Sequence, residues 1–228
     1  MKVCIIGGTS GIGLALAKQL QLEGYEVHVA SRSKTNRSQV SRYFLAESIH
    51  YCDATNSNDI TQLFETLASF DHLICTQKHQ HAFQLVNGIS VASAQDAFNQ
   101  KFWSQFMCAT LAIHYLNLGG SITLTAGVAS QKAYAGYAIT GAINGAVESF
   151  VRGLASEYKN RFRINAVSPG FIERFKNDSE RLCFARGIDS SIRSLISQES
   201  IIKVYHNLII SPNITGQVEY INNDSELF

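Results

Sequence analysis

Long apolar runs are missing from this chain: no stretch approaches the ~20 residues that a membrane-spanning helix needs. The amino terminus, Met1-Lys2-Val3-Cys4-Ile5-Ile6-Gly7-Gly8, is apolar too briefly to form the core of an export signal, and glycines cut it early. Charge of one sign is equally scarce. With 19 basic and 18 acidic residues the net charge is +1, which gives no field for nucleic acid or an anionic membrane surface; neither is expected as a partner. Only two prolines occur in 228 residues, and no Pro/Gly-rich linker, internal repeat or low-complexity tract divides the chain. One domain over residues 1–228 is therefore expected. The five cysteines (Cys4, Cys52, Cys75, Cys108 and Cys183) never fall at Cys-x-x-Cys spacing, so the common zinc and dithiol motifs are excluded and no metal is expected. Cys4, Cys52 and Cys75 lie in or beside predicted strands, where a reduced thiol behaves as a small hydrophobe. These absences together predict a cytoplasmic location.

What the chain does contain is alternation. Short apolar runs predict strands at Lys2–Ile6, Glu26–Ser31, Ile49–Asp53, His72–Thr76, Ser121–Thr125, Arg163–Val167 and Gln217–Ile221. Between them, helical spacing marks Ile12–Glu23, Asn58–Ser69, Gln95–Leu116 and Ile139–Tyr158. In the last of these Ile139, Ile143, Val147, Phe150, Val151 and Leu154 recur on one face. Strand and helix repeated in this way predict an α/β fold, a doubly wound parallel sheet of about seven strands with helices on both faces. The segments Gln77–Ser93 and Glu173–Ser200 read as loops over a cleft.

Directly after the first strand stands Gly7-Gly8-Thr9-Ser10-Gly11-Ile12-Gly13, opening a helix. A strand that turns tightly into a helix exposes free backbone N–H groups at the positive end of the helix dipole, which suits a pyrophosphate. Glycines allow the turn and the close approach of phosphate to backbone.

This run resembles the Thr-Gly-x-x-x-Gly-x-Gly pattern of the short-chain dehydrogenases/reductases, with Gly7, Gly11 and Gly13 at the three glycine places and Ile6 where that family has Thr. Further along, Asp53 in Tyr51-Cys52-Asp53-Ala54-Thr55 resembles the family's adenine-contacting Asp. Asn165-Ala166-Val167-Ser168-Pro169-Gly170 resembles the motif that shapes its nicotinamide pocket, and Ile214-Thr215-Gly216-Gln217 the start of its last strand. The resemblance implies a Rossmann-type fold and a nicotinamide coenzyme. It would be held by Gly7, Thr9, Ser10, Gly11, Ile12 and Gly13, by Ser31 and Arg32 after the second strand, by Asp53, Cys75 and Thr76, and by Pro169, Gly170 and Ile172.

Which coenzyme is decided at the end of the second strand, where an acidic residue would hydrogen-bond the adenosine 2′-hydroxyl and favour NAD(H). Here the sequence is Ala30-Ser31-Arg32-Ser33-Lys34, without a carboxylate. The Arg32 guanidinium offers paired donors to a 2′-phosphate, with Lys34 and Arg37 adding to the field, so NADP(H) is expected over NAD(H).

The family's acid/base residues are an Asn, a Ser, a Tyr and a Lys. Local matching puts Lys101, Gly127, Thr140 and Asn144 at those four places, so all four differ. The Asn-Asn-Ala-Gly motif after the fourth strand is replaced by Cys75-Thr76-Gln77-Lys78. An aliphatic hydroxyl at Thr140 does not exchange a proton near neutrality as an activated phenol does, and Gly127 has no donor. Asn and Lys look exchanged between two neighbouring helices, which predicts that the Lys101 ammonium enters the nicotinamide–ribose cleft beside Asn144. Tyr137 is an alternative phenol, though that register leaves Gly141 in the lysine place; Tyr134 lies close by, and His79-Gln80-His81 reads as a polar loop at the cleft mouth.

Two functions remain open. One is an NADP(H)-dependent oxidoreductase acting on a small carbonyl or alcohol, with its acid/base work moved to Lys101, Tyr137 or His81. The other is an NADP(H)-binding sensor or partner subunit without turnover. The resemblance also implies a homodimer or homotetramer, with Phe102, Trp103, Phe106 and Met107 as candidate contacts or, for some of them, core residues.

Overall fold

The computed structural model of the protein describes residues 1–79, 84–172 and 195–222. The apolar runs form a seven-stranded sheet: β1 (Lys2–Ile6), β2 (Glu26–Ser31), β3 (Ile49–Tyr51), β4 (Phe70–Cys75), β5 (Leu116–Thr125), β6 (Arg163–Pro169) and β7 (Val218–Ile221). The order is β3-β2-β1-β4-β5-β6-β7 and every neighbouring pair is parallel. Among the described residues seven α-helices accompany it: α1 (Gly11–Leu22), α2 (Lys34–Val40), α3 (Ser57–Leu67), α4 (Val91–Phe98), α5 (Ser104–Ala112), α6 (Ala138–Tyr158) and α7 (Gln198–Ile210).

Alternation along β1 shows how the sheet makes two cores. Successive side chains point to opposite faces. Val3 and Ile5 enter a cluster with Leu16 and Leu20 of α1 and Ile201, Tyr205 and Leu208 of α7. Cys4 and Ile6 enter the other cluster, with Phe64 of α3, Cys108 of α5, and Val147 and Val151 of α6. Helices on both faces leave the strands buried on both sides, which is why they read as nearly continuous apolar runs.

Some boundaries differ from the sequence reading. The expected helix Gln95–Leu116 starts earlier, at Val91, ends at Ala112, and yields Leu116 to β5. It is also interrupted by a π-helical turn over Asn99–Trp103. Gly119 (φ +81°) and Gly120 let β5 begin five residues before the predicted Ser121, with a shifted register against β4. Two helices went unpredicted. In α2, Lys-Thr-Asn-Arg-Ser-Gln-Val has no apolar face and buries only Val40, and the Ser33 side chain caps it by accepting from Asn36 N–H. Capped by Ser197, α7 overlaps the predicted loop Glu173–Ser200 only at residues 198–200 and runs on to Ile210; residues 173–194 of that loop lie outside the described residues.

The strand order changes direction between β1 and β4. At such a switch the connections diverge to opposite faces and leave a crevice at the carboxyl ends of the strands. Among the described residues no helix is long and apolar enough to cross a membrane.

Candidate active site

A cavity of about 880 Å³ occupies that crevice, within the size range of a small-molecule site. One end is built by the β1–α1 turn. Gly7 (φ +87°) needs the left-handed conformation, and a Cβ there would stand 2.6 Å from Thr76 Oγ1. At Gly13 a Cβ would stand 2.5 Å from the Gly7 carbonyl oxygen and 2.6 Å from Thr76 Oγ1. The turn is thus keyed to the end of β4, and the first turn of α1 opens into the cavity. Ser10, the N-cap residue, makes no side-chain capping bond, which leaves the helix start to a ligand.

Beyond the turn, the end of β2 is ordered by hydroxyl and guanidinium contacts. Thr9 Oγ1 donates to Ser31 Oγ at 2.8 Å, and Arg37 Nη1 donates to the Ser31 carbonyl at 2.8 Å while lying over the Tyr51 ring. Arg37 is thereby committed, whereas Arg32 is exposed at the cavity edge. Asp53 Oδ1 accepts from both the backbone N–H and the hydroxyl of Thr55, at 3.0 and 2.8 Å, in an Asx-type turn at the cavity wall.

The other end is organised by the π-helical turn. The wide turn is closed by Ser104 Oγ, which donates to the Gln100 carbonyl at 2.8 Å, and it places Lys101 at the cavity wall. Lys101 is 6 % exposed. Its Nζ donates to Asn144 Oδ1 at 2.6 Å and to the Ala126 carbonyl at 2.8 Å. Asn144 Nδ2 in turn donates to the Gly127 carbonyl at 2.9 Å. A Cβ at Gly127 would stand 2.8 Å from Asn144 Nδ2, so the absence of a side chain at 127 is what admits the asparagine amide. Burial pulls the Lys101 ammonium down from its ordinary 10.5 to about 8, and the Glu148 carboxylate partly opposes that fall. Glu148, one turn beyond Asn144 on α6, is itself buried. Its Oε1 accepts from Ser130 and Ser168 hydroxyls at 2.5 and 3.1 Å, and its Oε2 from Tyr220 at 2.8 Å. One carboxylate therefore ties the β5–α6 turn, β6 and β7 together beneath the cavity.

Thr140 lies on the first turn of α6, four residues before Asn144, and its Oγ1 is 3.1 Å from His79 Nε2. Tyr134 and Tyr137 pack with Phe171 at ring-centroid distances of 5.3 and 5.9 Å and form an aromatic wall.

Nearly every predicted site residue lines this one cavity: Gly7, Thr9, Ser10, Gly11, Ile12, Gly13, Ser31, Arg32, Asp53, Thr76, Pro169, Gly170 and Ile172 on the coenzyme side, and Lys101, Tyr137, Thr140 and Asn144 on the other. Cys75 is the correction. Its side chain is fully buried in the core and is not part of the lining, because the alternation of β4 turns it away from the crevice. Gln80 and His81 lie outside the described residues. Sequence reasoning missed Glu148, whose signal was its i+4 spacing from Asn144 on an otherwise apolar face. It also missed the pairing of His79 with Thr140, 61 positions apart, which no local pattern reveals.

The enoyl-(acyl carrier protein) reductase family model matches residues 7–223. Among curated proteins, the short-chain dehydrogenase/reductase ATR9 of Stachybotrys chlorohalonatus is 28% identical, over 95% of this chain and 93% of that protein. The 3-oxoacyl-[acyl-carrier-protein] reductase of Mus musculus is 25% identical, over 99% of this chain and 98% of its own length. Among solved structures, a small-chain dehydrogenase in complex with NADPH is 33% identical with a TM-score of 0.82, covering 98% of this chain and 97% of that one. The chain accordingly belongs to the short-chain dehydrogenase/reductase family of oxidoreductases.

Proposed function

We propose that the protein is an NADP(H)-dependent oxidoreductase acting on a small carbonyl or alcohol, with an acid/base site that differs from its family's usual one. The observation that carries this reading is the continuity of the cavity. It runs from the uncapped start of α1 and the exposed Arg32 at one end to the buried Lys101–Asn144 pair at the other. The residues present fit a nicotinamide dinucleotide. Gly7 and Gly13 make a cradle that a Cβ would fill, the N-terminus of α1 supplies N–H groups for the diphosphate, and Pro169, Gly170 and Ile172 stand where the nicotinamide would be held. When bound, that group supplies the hydride.

The protein's own residues do the rest. Arg32 meets the adenosine phosphate, and the missing carboxylate after β2 removes NAD(H)'s preferred partner. Lys101, held by Asn144 and the Ala126 carbonyl, keeps a positive charge at the reacting end, where negative charge develops on a carbonyl oxygen as it is reduced. The NADPH-bound relative and the 3-oxoacyl reductase relatives support the coenzyme and the carbonyl substrate respectively. A second reading, a coenzyme-binding sensor or partner subunit, is favoured by Gly127 and Thr140, which remove the hydroxyl and phenol of the family's usual site. Phe102, Trp103, Phe106 and Phe150 form an aromatic cluster with Trp103 half exposed, which supports pairing of two copies there. Sedimentation of the wild type against Trp103→Lys tests it; an unchanged molecular mass in the variant removes the idea.

Titration of the purified protein with NADPH and NADH, followed by a panel of ketones read through coenzyme absorbance, tests the main reading. NADPH should bind the more tightly. Arg32→Ala should weaken NADPH about ten- to a hundredfold, as loss of a charged hydrogen bond worth ~1.5–3 kcal/mol implies, and leave NADH unchanged. Equal losses for both coenzymes would remove the phosphate-reading role of Arg32. Tight NADPH binding with no turnover across the panel would favour the sensor.

A further inference from the structure

The cavity holds one pair of side chains that the Lys101 arrangement does not use. Thr140, at the place where the sequence resemblance puts the family's phenol, lies one helical turn before Asn144, and His79 projects from the segment after β4 to meet it. The separation of Thr140 Oγ1 and His79 Nε2 is 3.1 Å, and both residues line the cavity. A threonine hydroxyl early in a helix commonly bonds a backbone carbonyl one turn back; this one is shared with an imidazole instead. Alone, that hydroxyl has no means of exchanging a proton near neutral pH. An imidazole does, since its charge changes between about pH 5 and 8.

We propose that His79 and Thr140 form a proton couple, with Thr140 Oγ1 delivering the proton to the oxygen of a bound carbonyl and His79 Nε2 replacing it. The inference rests on the oxidoreductase reading above and deepens it. In the reducing direction the carbonyl carbon gains the hydride carried by the reduced nicotinamide. The carbonyl oxygen forms its O–H bond with the Thr140 proton. As that Thr140 O–H bond breaks, the N–H bond of protonated His79 breaks as well and passes its proton to Oγ1. The products are an alcohol, the oxidised coenzyme and a neutral His79, which regains its proton from water. Oxidation of an alcohol runs the same steps backward. Thr140 is then the group that touches substrate, and His79 acts through it.

The charged and titratable groups that share the cavity bear on the imidazole. Lys78 precedes it in the chain, Lys101 and the phenols of Tyr134 and Tyr137 line the same wall, and Arg32 and Asp53 stand at the adenosine end.

The test combines a readout on the coenzyme-free protein with one on turnover. In protein labelled with ¹⁵N-histidine, the His79 titration should move by roughly half a pH unit in Thr140→Val, the worth of one ordinary hydrogen bond, and stay in place in Thr140→Ser. With NADPH and the probes ethyl acetoacetate and acetophenone, His79→Gln and Thr140→Val should each lower kcat about a hundredfold or more. NADPH affinity should hold in both, Thr140→Ser should retain activity, and the pH-rate limb that follows the NMR titration should vanish in His79→Gln. A His79 titration indifferent to Thr140→Val, or turnover and pH profile unchanged in His79→Gln, overturns the couple alone. Wild-type protein that binds NADPH yet reduces neither probe overturns the oxidoreductase reading, and the couple with it.

Discussion

Lys101→Met should change the slope of stability against pH more than it changes stability at any one pH. Methionine keeps most of the apolar stem and deletes the charge. In the folded protein the ammonium titrates at about 8, against an ordinary 10.5. Between those two values the unfolded chain binds the more protons, so stability rises with pH across that window. Below it both states are protonated and the whole cost of holding a buried cation is present; above it none remains. At ~1.4 kcal/mol for each factor of ten, the full change is ~3 kcal/mol. Near neutral pH the variant escapes that cost but leaves Asn144 Oδ1 and the Ala126 carbonyl without their donor, a loss of ~1–3 kcal/mol. The two nearly cancel, and the single-pH comparison decides nothing. Urea unfolding of both proteins from pH 7 to 10.5 decides it, because titrations common to both cancel in the difference. The stability of wild type relative to variant should climb by ~3 kcal/mol. A difference flat in pH would mean that Lys101 titrates alike in the folded and unfolded chains, and would refute the burial cost assigned to its ammonium.

Gly13→Ala puts a methyl group 2.5 Å from the Gly7 carbonyl. Thermal unfolding should show ~1–3 kcal/mol of destabilisation, and NADPH titration a loss of affinity; a neutral substitution would mean the turn is looser than described. Glu148→Gln removes the carboxylate that holds Lys101 up and that accepts from three hydroxyls. The Lys101 titration should then drop below 8 and stability should fall by ~1–3 kcal/mol, read by the same urea series; an unmoved Lys101 titration would contradict the coupling. Gly127→Ser meets no backbone strain, since φ is 162°, but its Cβ collides with the Asn144 amide. It should destabilise alone and far less in an Asn144→Ala background, which a double-mutant cycle measures as a coupling above ~0.5 kcal/mol; additive effects would argue against the contact.

The strands were legible because burial on both faces leaves an unmistakable apolar run, and β1 and β2 match the predicted spans residue for residue. The phosphate turn was legible for a related reason: glycines with a steric purpose stood at fixed offsets after a strand. By contrast α2 was invisible, since a helix of polar residues capped by Ser33 carries no period to detect. In α7 the period was present, with Ile201, Tyr205, Leu208 and Ile209 on one face, but its start overlaps the end of the irregular stretch Glu173–Ser200, which hid the helix. The pairing of Lys101 with Asn144 could be anticipated only because two helices exchanged residue types. What no local pattern could supply was distance across the fold, as between His79 and Thr140.

The π-helical turn at Asn99–Trp103 has a mechanical consequence. A turn with one residue too many sets the segment before it about 100° out of phase with the segment after it. Upstream, α4 buries only Ala97; downstream, Cys108, Ala109 and Ala112 of α5 anchor firmly in the core. Deleting a single residue from the turn would restore continuous pitch and swing Lys101 off Asn144 while sparing the anchored half. The insertion thus works as a phase shifter, letting one helix serve two masters.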